Sequence, residues 1–109
     1  MIQLAFHYQC FRTDEFERRF RKLDSSAQKR IDKAIIEILF VNPYATKILT
    51  GNLKGKRSLR VGDYRVIIAI CEECKRLNYV ELNGCKDCKK RGRNDIVLFT
   101  CGHRGAVYE

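Results

Sequence analysis

The alternation of hydrophobic and polar positions predicts a strand and then a helix at the start of the chain. IQLAFHY, residues 2–8, alternates in part and is typical of a strand. Further on, Phe16, Phe20 and Leu23 recur at i, i+4 and i+7, which places them on one face of a helix. Asp14, with a glutamate three residues later, fits the N-terminal capping box of that helix. These residues therefore predict one strand followed by one amphipathic helix.

A second helical pattern follows almost at once. Ser25 begins it, with a glutamine three residues on. Asn42-Pro43 ends it, because the residue before a proline avoids helical backbone angles. The apolar stripe of this helix consists of Ala27, Ile31, Ala34, Ile35, Ile38 and Leu39. The two patterns together predict an antiparallel pair of helices that packs on a sheet.

Short runs of β-branched residues replace the helical pattern in the second half of the chain. Strands are predicted at LKGKRSLR (53–60), YRVIIAIC (64–71) and IVLFTC (96–101), and Gly62-Asp63 supplies the turn between the first two. The element order is then β-α-α-β-β-β. It predicts an α+β fold in which a two-helix hairpin packs on one face of a mainly antiparallel four-stranded sheet. Much of the positive charge is expected on the other face.

The balance of charges indicates a polyanionic partner. Lys and Arg number 22 against 13 for Asp and Glu, which gives a formal net charge of +9. In a chain of 109 residues, which fits a single domain over residues 1–109, such a surplus is typical of nucleic-acid binding. The sequence shows neither an apolar run of about 18 residues nor a secretory leader, so we expect a cytoplasmic protein with no membrane span.

Four of the six cysteines form a repeated C-x-x-C pattern, in which Cys71 and Cys74 are separated by ten intervening residues from Cys85 and Cys88. Because cytoplasmic proteins rarely keep disulfides, the pairs indicate metal ligands. Four thiolates match a tetrahedral Zn²⁺ site, which is structural because no coordination position remains for substrate. Iron binds similar sites, and two local disulfides or a thiol redox pair are further alternatives. We therefore predict a zinc-binding hairpin insert over residues 71–93.

A small set of polar residues outside this insert indicates phosphate chemistry. Arg65 follows the predicted turn, His103 and Arg104 follow the last strand, and Tyr108 lies next to the end of the chain. If the two flanking strands are neighbours, these side chains converge on one face. Two arginines can hold a phosphate and stabilise its extra charge in a transition state. A histidine can transfer a proton near neutral pH, and a tyrosine can stack on a base.

The same region resembles a known superfamily. LKGKRSLRVGDYRVIIAI followed by IVLFTCGHRGAVYE is similar to the RelE/ParE toxins. LRVGDYRVII is like the central hairpin of those proteins, and GHRGAVY is like their final motif. The helical pair and the NPY after it also fit. The resemblance covers nearly the whole chain apart from residues 71–93, where the family typically has a short hairpin turn.

The resemblance implies roles for individual residues. The family's hairpin arginine matches Arg65, the arginine of its last motif matches Arg104, and its terminal aromatic residue matches Tyr108. A strand position that is often lysine is Ser58 in this sequence, so His103 is our candidate for the proton-transfer group. The basic residues expected to contact RNA are Lys54, Lys56, Arg57, Arg60, Lys89, Lys90, Arg91 and Arg93.

The activity implied by the resemblance is that of a toxin from a type II toxin–antitoxin system. Such a toxin enters the ribosomal A site and cuts mRNA through attack of a 2′-hydroxyl, with no metal in the chemistry. A non-catalytic ribosome- or RNA-binding zinc protein and a ParE-type gyrase inhibitor are the alternatives on the same fold. The expected partners are mRNA on the ribosome and an acidic antitoxin, with the protein either monomeric or in a toxin–antitoxin hetero-oligomer.

Overall fold

The structure of the protein, a computed structural model, describes residues 8–79 and 94–107. The strands in this part are β1 (Gln9–Arg12), β2 (Lys47–Ile48), β3 (Arg57–Val61), β4 (Tyr64–Ile70) and β5 (Asp95–His103). The helices are α1 (Asp14–Arg21), α2 (Ser25–Ala34), α3 (Cys71–Arg76) and α4 (Arg104–Val107). A π-helical turn (Ile35–Leu39) extends α2, and short 3-10 turns lie at Pro43–Ala45 and Gly51–Leu53.

Both long helices begin at side chains that cap the backbone. The hydroxyl oxygen of Thr13 accepts a hydrogen bond from the backbone N–H of Phe16 at 3.1 Å, and the carboxylate of Asp24 accepts one from Ala27 at 2.7 Å. The start of α2 at Ser25 is confirmed. The capping residue of α1, however, is Thr13 and not Asp14, because Asp14 already has helical geometry.

One hydrophobic core lies between the helices and the sheet. The predicted helical stripe faces it: Ile31 and Leu39 are fully buried, and Phe16 of α1 stacks on Phe20 with ring centroids 5.6 Å apart. The three central strands of the sheet contribute alternate residues, except in β5, where a register shift separates Leu98 from Cys101 by three positions. These residues are Leu59, Val61, Val66, Ile68, Ile70, Ile96, Leu98 and Cys101. The predicted packing of two helices on one face of a sheet is therefore confirmed.

The sheet differs from the prediction in its number of strands and in one pairing. It has five strands in the order β1-β5-β4-β3-β2 instead of four. Pairing is antiparallel from β2 to β5, but β1 runs parallel to β5. The parallel pair is possible because two helices separate β1 from the other strands and carry the chain across the sheet. The fold is thus α+β with a mixed sheet.

The turn between β3 and β4 is the one that the sequence predicts. Gly62 has a positive φ of 62°, which a glycine adopts without strain. A Cβ at this position would meet the end of the Arg30 side chain, which is exposed on α2 and can move aside. The positive φ is therefore the feature that favours glycine at this turn. The strand before the turn is shorter than predicted, since residues 53–56 lie in a 3-10 turn and a loop.

The segment after β4 is helical where a hairpin was predicted. Residues 71–76 form α3, and residues 80–93 lie outside the described part of the chain. The strand predicted at residues 2–8 also lies outside it, except for Tyr8, which immediately precedes β1. Across residues 8–79 and 94–107, no helix has the length and apolar character needed to cross a membrane.

Candidate nucleic-acid interface

Two arginines lie side by side on the face of the sheet that points away from the helices. Successive side chains of a strand point to opposite faces, so Leu59 and Val61 enter the core while Ser58 and Arg60 point outward. Arg60 is the direct cross-strand partner of Arg65 on β4. Directly opposite residues have Cβ atoms about 5 Å apart. The two guanidinium groups can therefore reach the same ligand.

Arg104 joins them from the far end of β5. It is the first residue of α4, and its backbone N–H donates to the carbonyl of Asp63 at 2.8 Å. This hydrogen bond fixes the start of α4 against the β3–β4 turn. Arg65 is positioned at the same turn, because its Nη1 donates to the carbonyls of Gly62 and Tyr64 at 2.8 and 2.9 Å.

The three arginines line one concavity, which we call the basic groove. It has a volume of about 730 Å³, within the range of small-ligand sites. The described residues that line it are Ile38, Ala45, Thr46, Lys47, Leu49, Ser58, Leu59, Arg60, Arg65, Arg104 and Gly105. Four of these side chains are cationic and none is a carboxylate. The groove is thus suited to a polyanion that also presents apolar surface.

Lys47 is a groove residue that the sequence analysis missed. It lies on β2, directly opposite Ser58, so the two side chains share the outward face of the sheet. β2 has only two residues, too few to show a strand pattern. The remaining signal was a lysine in the sequence TKIL after the proline turn, which periodicity alone does not place on a sheet.

Solved structures with the same architecture are toxins and toxin–antitoxin complexes. The chain matches a chain of the toxin–antitoxin complex RelBE2 from Mycobacterium tuberculosis with a TM-score of 0.68 and 20% identity, over 93% of this chain and 95% of that chain. It matches the isolated Escherichia coli RelE toxin with a TM-score of 0.60 and 16% identity, over 93% and 90%. It matches a chain of the RelB–RelE antitoxin–toxin complex from Methanococcus jannaschii with a TM-score of 0.56 and 17% identity, over 90% of this chain and 94% of that chain.

The fold is that of the RelE toxins. The likeness is one of three-dimensional structure, since comparison with models of protein families and with curated protein sequences finds no match. The fold predicted from the resemblance in the sequence is thereby confirmed in its RelE-like character.

The RelE-like sheet places His103 away from the basic groove. His103 is the cross-strand partner of Tyr64 and meets its ring edge-on, with centroids 6.0 Å apart. Tyr64 packs against the core, so His103 lies on the helix-bearing side of the sheet while Arg65 lies on the other. The predicted convergence of His103 with the arginines is therefore not found. Tyr108 lies outside the described residues, and its role stays a prediction.

Arg57 corrects the predicted set of RNA-binding residues. It is only 6% exposed, and its guanidinium forms a two-point ion pair with Glu73 of α3, at 3.0 Å from Nε and 2.7 Å from Nη2. Its Nη1 also donates to the carbonyl of Thr46 at 2.9 Å. With its charge paired inside the protein, Arg57 holds α3 to the sheet and is not available to RNA.

The other predicted RNA contacts have mixed positions. Arg60 lines the basic groove and Lys54 is exposed in the loop before β3. The ammonium group of Lys56 lies over the ring of Phe99, 5.1 Å from its centroid, outside the groove lining. Lys89, Lys90, Arg91 and Arg93 lie outside the described residues.

The predicted metal ligands are half described. Cys71 and Cys74 lie one turn apart on α3 and are each 2% exposed. Residues at i and i+3 share one face of a helix, so both sulfurs can approach one ion. Cys85 and Cys88 lie outside the described part, within which no group of three or more His, Cys, Asp or Glu could hold a metal. The four-cysteine zinc site stays a prediction.

Proposed function

We propose that this protein is the toxin of a type II toxin–antitoxin system and cuts mRNA on the ribosome. The observation that carries the proposal is the basic groove, in which Arg60, Arg65 and Arg104 from three elements meet on one open face of a RelE-like sheet. Arginine binds phosphate through paired N–H groups and stays charged at every accessible pH. The groove therefore favours a phosphodiester over a neutral substrate.

The proposed reaction is transfer of a phosphodiester to the neighbouring 2′-hydroxyl. The 2′ oxygen attacks phosphorus, the bond to the 5′ oxygen breaks, and the products are a 2′,3′-cyclic phosphate and a 5′-hydroxyl end. The developing charge on the non-bridging oxygens would be stabilised by Arg65 and Arg104. Fixed cationic donors placed where charge develops typically lower a barrier by several kcal/mol in total.

An acidic antitoxin is the proposed regulatory partner. The crystal structures with this fold include RelB–RelE complexes. The formal charge of +9 favours an acidic polypeptide as a ligand that competes with RNA. Such a partner would have to cover the groove or block access to the ribosome.

Induced expression in bacterial cells, with mapping of mRNA 5′ ends, tests the proposal. The parent protein is expected to arrest growth and to produce cuts inside translated codons. Arg65→Ala with Arg104→Ala should abolish both effects. Arg18→Ala with Arg21→Ala is the matched control, because it removes the same charge from exposed positions on α1 and should leave the cuts unchanged.

Other outcomes of this experiment distinguish the alternatives. Ribosome association without new mRNA ends would favour a non-catalytic binding protein. This alternative has one observation in its favour, since the described groove lining contains no histidine or carboxylate to accept a proton. Inhibition of gyrase supercoiling by the purified protein, with no effect on mRNA, would favour a ParE-type activity.

A further inference from the structure

The described lining of the basic groove contains one ionisable side chain other than arginine. Arginine keeps its proton at every accessible pH, which removes Arg60, Arg65 and Arg104 from consideration. The described lining contains no histidine, carboxylate, thiol or phenol. Lys47 is left, as the single amine among those lining residues.

The register of the sheet places this amine beside the arginines. Lys47 pairs directly with Ser58, and Arg60 follows two residues later on the same face of β3. Lys47 and Arg60 are therefore diagonal cross-strand neighbours, about 7–8 Å apart and within reach of long side chains. Arg60 in turn pairs with Arg65. The cations form a row of three across β2, β3 and β4, so a phosphodiester held by the arginines would be within reach of the Lys47 side chain.

Nothing in the described structure commits Lys47 to another role. Its side chain is exposed, and within residues 8–79 and 94–107 it makes no hydrogen bond or ion pair. Lys33, in contrast, pairs with Glu37 at 3.8 Å on the exposed surface of the helix. Ser58 opposite is small, which leaves room for the ammonium to bend over the groove.

We propose that Lys47 is a further catalytic residue, the general acid that protonates the leaving 5′ oxygen. This rests on the proposed function. As the 2′ oxygen bonds to phosphorus and releases its proton to water, the bond from phosphorus to the 5′ oxygen breaks. Lys47 Nζ gives one proton to that oxygen, which leaves as a 5′-hydroxyl, and the neutral amine then takes a proton from water.

An mRNA with sulfur in place of the scissile 5′ oxygen isolates this step. A thiolate leaves without protonation, so the substitution removes the need for a general acid. Lys47→Ala should slow single-turnover cleavage of the normal mRNA on programmed ribosomes by about 100-fold or more, the usual size of a general-acid contribution. The sulfur substrate should be cut by Lys47→Ala at nearly the parent rate.

Two further variants separate proton donation from charge and from folding. Lys47→Arg keeps the charge but does not release a proton, so it should remain slow on the oxygen substrate and fast on the sulfur substrate. Lys33→Ala removes one positive charge from α2, away from the groove, and should cut both substrates like the parent. The thermal midpoints of all three variants should match that of the parent, since both lysines are exposed.

The contrary outcomes are distinct. Equal losses on the two substrates, or rescue of the oxygen substrate by Lys47→Arg, would show that Lys47 contributes charge alone and would overturn the proposal. An unchanged rate for Lys47→Ala would do the same. If the parent cuts neither mRNA on the ribosome, the proposed function itself fails and this proposal fails with it.

Discussion

Arg57 and Arg60 lie three positions apart on one strand and have opposite environments. Arg57 points toward the helices and is paired with Glu73, whereas Arg60 points outward into the basic groove. Successive side chains of a strand point to opposite faces, so the difference follows once it is known which face one of them takes. The sequence KGKRSLR could not reveal that face, because the partner of Arg57 is a glutamate 16 residues further along in a different element.

Removing one partner of the Arg57–Glu73 pair should lower the free energy of unfolding strongly, whereas replacing both partners with apolar residues should change it little. Arg57→Ala leaves Glu73 buried without its counter-charge, which should lower the free energy of unfolding by about 3–5 kcal/mol. Arg57→Met together with Glu73→Leu removes both charges and should recover most of that loss. Urea denaturation followed by circular dichroism measures each value. If Arg57→Ala lowered the free energy of unfolding by less than about 1 kcal/mol, water would be solvating the Glu73 carboxylate in place of Arg57.

The thiols of Cys10, which is half-buried, and Cys101, which is buried, predict a stability difference at high pH. Burial raises the pKa of Cys10 to about 12 and that of Cys101 to about 11, from an ordinary value of 9.0, although nearby Arg12 opposes both shifts. The unfolded chain loses these protons near pH 9, whereas the folded protein keeps them up to a pKa of about 11 at Cys101 and about 12 at Cys10. The stabilisation is therefore complete below pH 9 and is lost as the pH rises through the folded values.

The corresponding test compares the parent with Cys10→Ala plus Cys101→Ala. The free energy of unfolding of the parent should fall more steeply between pH 8 and pH 11 than that of the variant, because the other titrating groups are common to both proteins. Equal slopes would mean that the two thiols titrate alike in the folded and unfolded states.

The elements differ in how far the sequence could predict them. The helices were predicted because stripes such as Ile31, Ile35 and Leu39 repeat over several turns. β2 was not predicted, because a strand of two residues shows no periodicity. Lys47 was therefore not recognised as a residue of the sheet. The parallel pairing of β1 with β5 depends on contacts such as Cys10 with Ile96, which local pattern does not encode. The sequence therefore failed to predict strands that are very short, and pairings between strands that are far apart in the chain.

The helix α3 presents Cys71 and Cys74 on one face and is held to the sheet by Glu73 between them. We predict that the purified protein contains about one Zn²⁺ per chain, bound by these two thiolates and those of Cys85 and Cys88. Cys85→Ser plus Cys88→Ser should remove the metal and lower the thermal midpoint, since binding of structural zinc contributes to folding. Elemental analysis by mass spectrometry gives the stoichiometry.

The matched control for the metal is Cys10→Ala plus Cys101→Ala, which removes two thiols outside the C-x-x-C pairs and should retain the zinc. Full zinc content in the Cys85→Ser plus Cys88→Ser variant would contradict the four-cysteine site. Iron in place of zinc would identify the alternative metal.

At the scale of the whole molecule, the protein has a formal net charge of +9, and the two faces of its sheet differ. The helices cover one face, and Lys47, Arg60 and Arg65 of the basic groove lie on the other, while Ile38 of the π-helical turn also lines the groove. Composition and hydrophobic pattern predicted the overall charge and the α+β class. The resemblance in LRVGDYRVII and GHRGAVY predicted all three groove arginines, Arg60, Arg65 and Arg104. The sequence could not predict that the sheet separates His103 from these arginines, because that depends on the register between β4 and β5.

Salt dependence measures how many phosphates the groove binds. The affinity for a non-cleavable 2′-O-methyl oligonucleotide should fall as salt rises, with a slope of about −0.7 per phosphate contact on a logarithmic plot. Arg60→Ala plus Arg65→Ala should make the slope shallower by about 1.4, the value for two lost contacts. Arg18→Ala plus Arg21→Ala should leave it unchanged. Equal changes in both double variants would mean that RNA responds only to net charge.

The most direct test of the account is the single-turnover rate at which the protein cuts an mRNA codon in the A site of programmed ribosomes. The account predicts cleavage by the parent to a 2′,3′-cyclic phosphate and a 5′-hydroxyl end. It predicts a rate at least about 1,000-fold lower for Arg65→Ala plus Arg104→Ala, since each lost donor typically costs two to three orders of magnitude. Cleavage by the double variant at the parent rate, or no cleavage by the parent, would contradict the assignment of the reaction to the basic groove.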